Sequence, residues 1–436
     1  MFLREGDHLS SDAVDHHHSL TDLLLEKGVL RPASDGRLVI RFVGVAVAGA
    51  VTLVMLPKIA LASPSDEVQR VTLRALRAYA TWVPPFHEPS PHLNADPDRG
   101  EVSGVAMTDW LIGDFLSHGL YRRTITELQV NGTGRVDWRR TISRHQPIFS
   151  QGRPIYVASA TRRSTADASN FATMLHLHVV ETLSREFGAL LDYEPISLDL
   201  EPVERLDVLP SADECERRLG DEMRIAFSDR SMQLLNMLAA IVRAREVERG
   251  RELTLYGTGS FHHVWEAACG AVCGNEVQDW TGMLPAPVWR SANGEAQNAE
   301  TFRPDIVAPL TDRTGPLLIA DAKYYRASPP PRLSGIPGVN DVAKQVWYKR
   351  YLGDTATLRG FSGIENVFLF PGTEGPLVQR WGTVDFPDGE QRIDVFTLDF
   401  LQALRAYADR SEKIVNEGRR GMMALIDSKR GQRQHD

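Results

Sequence analysis

The residues Leu317-Leu318-Ile319-Ala320 run directly into Asp321-Ala322-Lys323. Four consecutive apolar residues read as a strand buried on both faces, the kind found in a helix-covered sheet. Such a strand cannot carry two charges into an apolar core, so its C-terminal end must emerge at a polar site. Side chains at i and i+2 of a strand share a face, which sets Asp321 and Lys323 side by side. Asp305, in "RPDIV", precedes Asp321 by sixteen residues and can reach the same place from a neighbouring strand.

Two carboxylates brought together repel, and both stay ionised only if a cation neutralises them. A hard divalent ion does this through oxygen ligands, commonly one or two carboxylates with water and substrate phosphate. The expected ion is Mg2+, with Mn2+ as its substitute. Lys323 can then place or activate an attacking water and balance charge on a phosphate. Two acids, a lysine and a divalent metal suit phosphodiester hydrolysis. The plainer alternative is a surface salt bridge at the strand end.

Two flanking segments enlarge the set. "GTGSFHHVWEAACGAVCG" places Glu266 on a helix, one turn after His262 and His263, where it can complete the acidic cluster. "PGVNDVAKQVWYKRYL" carries Lys344, Gln345, Tyr348 and Lys349 on a second helix. Gln345 and Tyr348 share one face of it, and the lysines can meet phosphates.

A second apolar run, Phe42 to Leu56, has 15 residues without a charge. A spanning helix wants about 20. The run is rich in Val and carries Gly44 and Gly49, so two strands turning near Ala48-Gly49-Ala50 are expected instead. The chain is therefore read as soluble. Three cysteines, Cys215, Cys269 and Cys273, suit a reducing cytoplasm better than a disulfide framework. The net charge of -8 excludes a protein that coats nucleic acid by bulk electrostatics, so any DNA contact must come from a local basic surface.

The 436 residues allow two or three domains. A polar N-terminal segment over 1–35, with a His16-His17-His18 run, is expected to lack fixed structure. A β-rich N-terminal domain over 36–160 would supply partner or DNA contacts. Within it "SDEVQRVTLRALRAYATW" reads as a helix, "PPFHEPSPHLNADPDRGEVSG" as a loop, and "MTDWLIGDFLSHGLYRRTITELQV" returns to helical periodicity. "GRVDWRRTISRHQPIF" and "GRPIYVASATRR" read as a short β region. A helical region over 161–249 follows, with one helix near 166–190 and another spanning roughly 212–248. A chemistry-bearing domain occupies 250–400, and a closing helix with a basic, frayed tail occupies 401–436.

Other chemistries find less support. Cys269 and Cys273 share a helical face near His262 and His263, but no second Cys/His pair completes a zinc site. The sequence contains no G-x-S-x-G elbow and no H-E-x-x-H helix. It also contains no G-x-x-x-x-G-K-[ST] phosphate loop, so a motor would have to come from a partner.

The order Glu266, Asp305, Asp321-Ala-Lys323 and Gln345-x-x-Tyr348 resembles the PD-(D/E)xK nuclease superfamily in its variant with a glutamine–tyrosine helix. More narrowly, "YGTGSFHHVWE", "RPDIV", "IADAKYY" and "PGVNDVAKQVWY" resemble the LlaJI family of restriction endonucleases, which are akin to McrC-type subunits working with a separate GTP-hydrolysing motor. "GRVDWRRTI" and "LHLHVVETL" also fit, so the resemblance spans roughly 35–400. It implies an α/β (α+β) fold whose nuclease core is a mixed sheet flanked by helices, preceded by a β-rich part and a helical middle region. It implies Mg2+-dependent cleavage of double-stranded DNA, a McrB-like GTPase in trans, and a cognate DNA methyltransferase in the same phage-defence system. Asp305, Asp321 and Glu266 carry over as metal ligands and Lys323 as the catalytic lysine. Gln345, Tyr348 and Lys344 carry over as DNA-facing or site-supporting residues. Two other readings stay open: a non-catalytic DNA-binding adaptor with a nuclease-like fold, and a self-sufficient restriction endonuclease.

Overall fold

The structure, a computed structural model, describes residues 2–9, 18–48, 51–59, 66–81, 104–167, 169–199, 205–206, 208–247, 253–284, 286–298, 303–311, 314–328, 333–373, 375–386 and 391–432. The chain divides into two compact units. The larger comprises Met1–Asn94, Glu101–Ser103 and Arg251–Asp436, and the smaller Ala95–Gly100 and Gly104–Gly250. The segment expected as one domain over 36–160 is thus shared between the two units.

The larger unit begins with β1 (Phe2–Arg4), α1 (His18–Glu26), β2 (Leu30–Pro32), β3 (Leu38–Ile40), β4 (Val43–Ala48), β5 (Val51–Leu56) and α2 (Asp66–Thr81). Strands β4 and β5 form the expected hairpin, with Ala48 opposite Val51. The N-terminal 35 residues depart from expectation. Leu24, Val29 and Leu30 are buried in a core with Ile40, Phe42 and Met55, so apolar contact orders this segment despite its polar composition. His16 and His17, and the loop over 84–103, lie outside the described residues.

The smaller unit holds α3 (Gly104–His118), β6 (Thr124–Val130), β7 (Arg135–Val136), α4 (Trp138–Arg144), β8 (Ile148–Ser150), β9 (Arg153–Ile155), β10 (Ala160–Ala166), α5 (Phe171–Leu191), α6 (Ala212–Met223) and α7 (Asp229–Val247). Three expectations need correction. The helical reading of 107–130 ends at His118, because Gly119 takes a left-handed φ of 74° and stops the helix. The alternating Thr124-Ile125-Thr126 that follows starts a strand. Inside the expected β region, Asp137 accepts from the Arg140 amide at 3.1 Å and starts a short helix. The single helix over 212–248 is two, since Ser228 Oγ accepts from Ser231 N at 3.1 Å and opens a new one. Phe227, placed on the apolar stripe by periodicity, is 98% exposed at that break.

Polar ties hold this unit together. Buried Glu222 accepts from Tyr121 Oη at 2.9 Å, Asn170 Nδ2 at 3.2 Å and Arg123 Nη1 at 3.3 Å. His176, fully buried, accepts the Tyr121 amide on Nδ1 at 3.0 Å.

The chain then returns to the larger unit with β11 (Leu253–Thr258), which pairs antiparallel with β4 and completes a sheet of order β1-β5-β4-β11. Gly257 lies opposite Gly44, both at positive φ, and a Cβ on either would run into the other strand's backbone. After β11 come α8 (Phe261–Cys273), α9 (Gln278–Thr281), β12 (Val288–Arg290), β13 (Ala296–Asn298), β14 (Ile306–Pro309), β15 (Leu317–Ala322), α10 (Val339–Leu358), β16 (Ile364–Gly372), β17 (Val378–Asp385), β18 (Arg392–Asp399), α11 (Phe400–Asp409) and α12 (Glu412–Gln432).

Strands β14-β15-β16-β18-β17 form a five-stranded sheet. Its centre is parallel and both edge pairs are antiparallel, so the sheet is mixed as expected. Leu317 and Ile319 pack with Val307 beneath Tyr348, Leu352 and Ala356 of α10. Just past the end of β15, Tyr324 packs on Phe261 of α8 and Phe400 of α11. The sheet is therefore covered by helices on both faces. The C-terminal tail is not frayed through residue 432. Buried Met422 and Ile426 anchor α12, and Arg419 donates to the carbonyls of Cys273 and Gly274 at 2.8 and 2.9 Å.

Candidate active site

Pairing of β14 with β15 sets Ile306 opposite Ala320, so one residue earlier Asp305 faces Asp321. Opposed residues of an antiparallel pair point to the same side. The two acids thus continue the face that carries Val307, Leu317 and Ile319 under α10. The Ala322 amide donates to Asp305 Oδ2 at 2.9 Å. Asn275, just beyond α8, braces the same turn. Its Nδ2 donates to the Asp305 carbonyl at 2.8 Å, and its Oδ1 accepts from the Val307 amide at 3.0 Å.

The electrostatics of this pair follow from burial. Burial, then the Asp321 charge, then Glu266, hold the Asp305 carboxyl well above the usual carboxylate range. Burial also raises Asp321, although Lys323 beside it pulls the other way. Two raised carboxyls in contact share a proton or need a cation. Lys323 answers part of that need. Its Nζ lies 2.6 Å from Asp321 Oδ2 and donates to Asp341 Oδ1 at 3.0 Å. Burial opposes the ammonium charge, but Asp321 and Asp341 outweigh it and push the Lys323 pKa up. Lys323 is therefore a cation that donates to Asp341 and ion-pairs with Asp321.

Asp341 and Asn275 were not singled out from sequence. Asp341 had a local signal: it follows Gly338 at the start of α10, and its Oδ2 accepts from the Gly338 amide at 3.2 Å. Asn275 had only a local turn onto the Val277 amide, because its partners at the site lie about thirty residues away and only the β14 packing brings them there.

Glu266 comes from α8, and its charge bears on Asp305. Its carboxylate is grouped with the His262 and His263 rings, all three offering donor atoms within 4.8 Å of one another. Among the described residues no other group of three or more such donors is gathered that closely, so Asp305, Asp321 and Glu266 are not drawn together to that distance. Cys269 and Cys273 are fully buried, and burial raises both thiols, Cys273 to about 12. They are neutral packing residues on α8.

Gln345 and Tyr348 do not face outward. Gln345 is fully enclosed, donates to the Val367 carbonyl at 3.2 Å, and ties α10 to β16. No phosphate reaches it, so the DNA-facing role expected of it is corrected. Tyr348 is buried and donates to the Arg303 carbonyl at 2.7 Å, while burial and then Asp305 and Asp321 raise its phenol. It stands against the acids from within. Lys344 is exposed on the same helix. A cavity of about 630 Å³ opens beside Glu266 and Asp305, with Arg303 and Arg410 in its lining.

The sequence profile of the LlaJI restriction endonuclease family matches residues 42–403, most of the chain. The chain belongs to that family. All the residues of the acidic site, and most of both units, fall within the matched region. A Bacillus subtilis (strain 168) protein named type II restriction enzyme BsuMI component YdjA is 28% identical over 394 residues, covering 88% of this chain and 83% of its own. A chain of a Thermococcus gammatolerans assembly of McrB AAA+ hexamers with bound McrC overlays on 98% of this chain and 99% of its own, with a TM-score of 0.41 at 13% identity. A chain of the McrBC complex of that organism overlays on 56% and 79%, with a TM-score of 0.22 at 12% identity. Similarity at those scores carries no argument about fold or partners. No described helix is long and apolar enough to cross a membrane.

Proposed function

We propose that the chain is the Mg2+-dependent endonuclease subunit of a restriction system, hydrolysing phosphodiester bonds of double-stranded DNA. The observation that carries this reading is the half-buried Asp305–Asp321 pair beside an ammonium group. A purely structural strand end has no use for two adjacent carboxyls that burial holds above the usual carboxylate range. The donor set is hard oxygen throughout, which fits Mg2+ or Mn2+ on Asp305 and Asp321, with Glu266 able to join by turning from the two histidines. When bound, the ion would polarise a phosphodiester and lower the pKa of a water.

The remaining chemistry belongs to the chain. Lys323, held charged between Asp321 and Asp341, directs an N–H at a phosphate oxygen or at the attacking water. Because its pKa is raised, it acts as a donor and countercharge rather than as a base. Asn275 and the Ala322 amide fix the backbone and the carboxylate of Asp305. Tyr348 closes the site from the core side and keeps Arg303 in place through its carbonyl.

The chain works with a McrB-like GTPase in trans. Its sequence has no phosphate loop of its own, and the Bacillus relative is called a component of a restriction enzyme. A cognate methyltransferase would protect host DNA. The test incubates the purified chain with Mg2+ and long duplex DNA, alone and with a McrB-like GTPase plus GTP. Partner-dependent cutting that disappears in Asp321→Ala and Lys323→Ala is expected. Site-specific cutting by the chain alone would favour a self-sufficient enzyme, and cutting retained in both variants would overturn the site.

A further inference from the structure

Residues 122–163 of the smaller unit contain nine arginines and two acidic residues, in a chain whose net charge is -8. Arg123 pairs with Glu222, and Arg140 and Arg162 share Asp137. The other six, Arg122, Arg135, Arg139, Arg144, Arg153 and Arg163, are exposed and form no ion pair with a described residue. Pairing of β10 with β7 sets Arg162 directly opposite Arg135. Like charges opposed across a ladder cost stability. An arrangement that folding alone disfavours is explained by an anionic ligand that offsets it.

The apolar residues of the same region point the same way. Strands β8 and β9 form a hairpin whose two-residue turn, Gln151-Gly152, has positive φ at both positions, the geometry that makes a stiff, tight turn. Every residue from 148 to 155 is exposed, with Phe149 at 69% and Arg153 beside the turn. Phe149 lies opposite Pro154 on one side of the hairpin and Arg153 opposite Ser150 on the other, so the tip offers both an apolar wedge and a cation, the two residue types that minor-groove binders use. Trp138 and Ile142 of α4 are also exposed, at 59% and 60%, beside Arg139.

We propose that this arginine-rich region and its hairpin form a duplex-DNA-binding surface, separate from the acidic residues that carry the chemistry. The proposal rests on the nuclease reading for its ligand, and the charge complementarity favours a polyanion over a protein partner. It also resolves how a net acidic chain holds DNA: the positive charge is local.

The experiment measures binding of a fluorescently labelled duplex by anisotropy, using the full chain in chelator so that no cleavage occurs. Wild-type protein, Arg135→Gln/Arg162→Gln, whose side chains share one face of the sheet, Phe149→Ala, and the control Arg217→Gln/Arg224→Gln on α6 are titrated across a salt series. The first double variant should bind roughly tenfold more weakly, and its slope of log affinity against log salt should fall by about 1.8 for two lost phosphate contacts. The control should match wild type, and circular dichroism should show all four folded alike. Unchanged affinity and slope in the arginine variant would overturn the proposal. A variant that keeps DNA binding but loses stimulation by the GTPase would also overturn it, and would assign the face to a protein partner. The nuclease reading is tested apart, by cleavage in Mg2+ with the GTPase present, where Asp321→Asn should lose cutting whatever the binding titration gives, so failure of this surface and failure of the nuclease site give different results.

Discussion

Asp305→Asn should stabilise the metal-free protein while abolishing its chemistry. Asn keeps an oxygen that accepts the Ala322 amide, so the 2.9 Å hydrogen bond survives. What disappears is a charge opposed to Asp321 across the β14–β15 pair. Opposed Cβ atoms lie about 5 Å apart, and two unit charges at that separation in an effective dielectric of about 20 repel by about 3 kcal/mol. Lys323, 2.6 Å from Asp321, and the proton that the raised pair takes up without metal already offset part of this. A gain of about 1–2 kcal/mol remains, which raises the melting temperature of a domain this large by a few degrees. Scanning calorimetry in chelator measures it directly, and a second scan with Mg2+ adds the complementary reading. Wild type should gain stability from the ion and the variant should gain little. A variant less stable than wild type in chelator would refute the argument, because the acid pair would then be a source of stability rather than of strain.

Further outcomes follow from the same geometry. Asp341→Asn removes one of the two carboxylates that hold Lys323 charged and in place, so kcat should fall about tenfold with KM for DNA little changed, read from single-turnover cleavage. Glu266→Gln should weaken Mg2+ binding so that activity recovers partly at high metal. An unchanged metal titration would return Glu266 to an ordinary helix residue. Burial pulls the His176 pKa from 6.5 down to about 4, so the unfolded chain takes up the proton first. The stability this group contributes is present above pH 6.5, is lost as pH falls toward 4, and amounts to about 3 kcal/mol at most. His176→Gln should flatten that part of the stability profile, and an identical acid loss in both proteins would sink the assignment. Glu222→Ala strands the buried Tyr121 and Asn170 donors, frees the half-exposed Arg123, and should cost about 3 kcal/mol in a urea titration of the full chain.

Much of the site's chemistry could be read along the chain because strand periodicity is strictly two. An apolar run that ends in Asp-Ala-Lys places two charges on one face whatever the rest of the fold does, and the Leu317–Ala322 strand has that form. The hairpin at 43–56 and the α2 and α8 helices were equally local, since Val-rich alternation and apolar spacing act within one element. Helix ends were harder. The breaks at Gly119 and Ser228 depend on single residues that stop or restart a helix inside an unbroken apolar pattern.

Tertiary structure alone decided which distant groups meet. Asn275 reaches Asp305, and Asp341 reaches Lys323, through packing of α8 and α10 on the sheet. Glu5 accepts from Tyr324 Oη at 2.8 Å, and Tyr324 accepts from the Lys58 amide at 3.0 Å, which stitches the N-terminal strand to the segment that bears the lysine. Strand β11 closes a sheet begun about 250 residues earlier with β1, and only its opposed glycines hint at the close approach. A hydrogen bond between residues that far apart leaves no periodic trace, because each partner is chosen by where its backbone is held rather than by its neighbours in sequence.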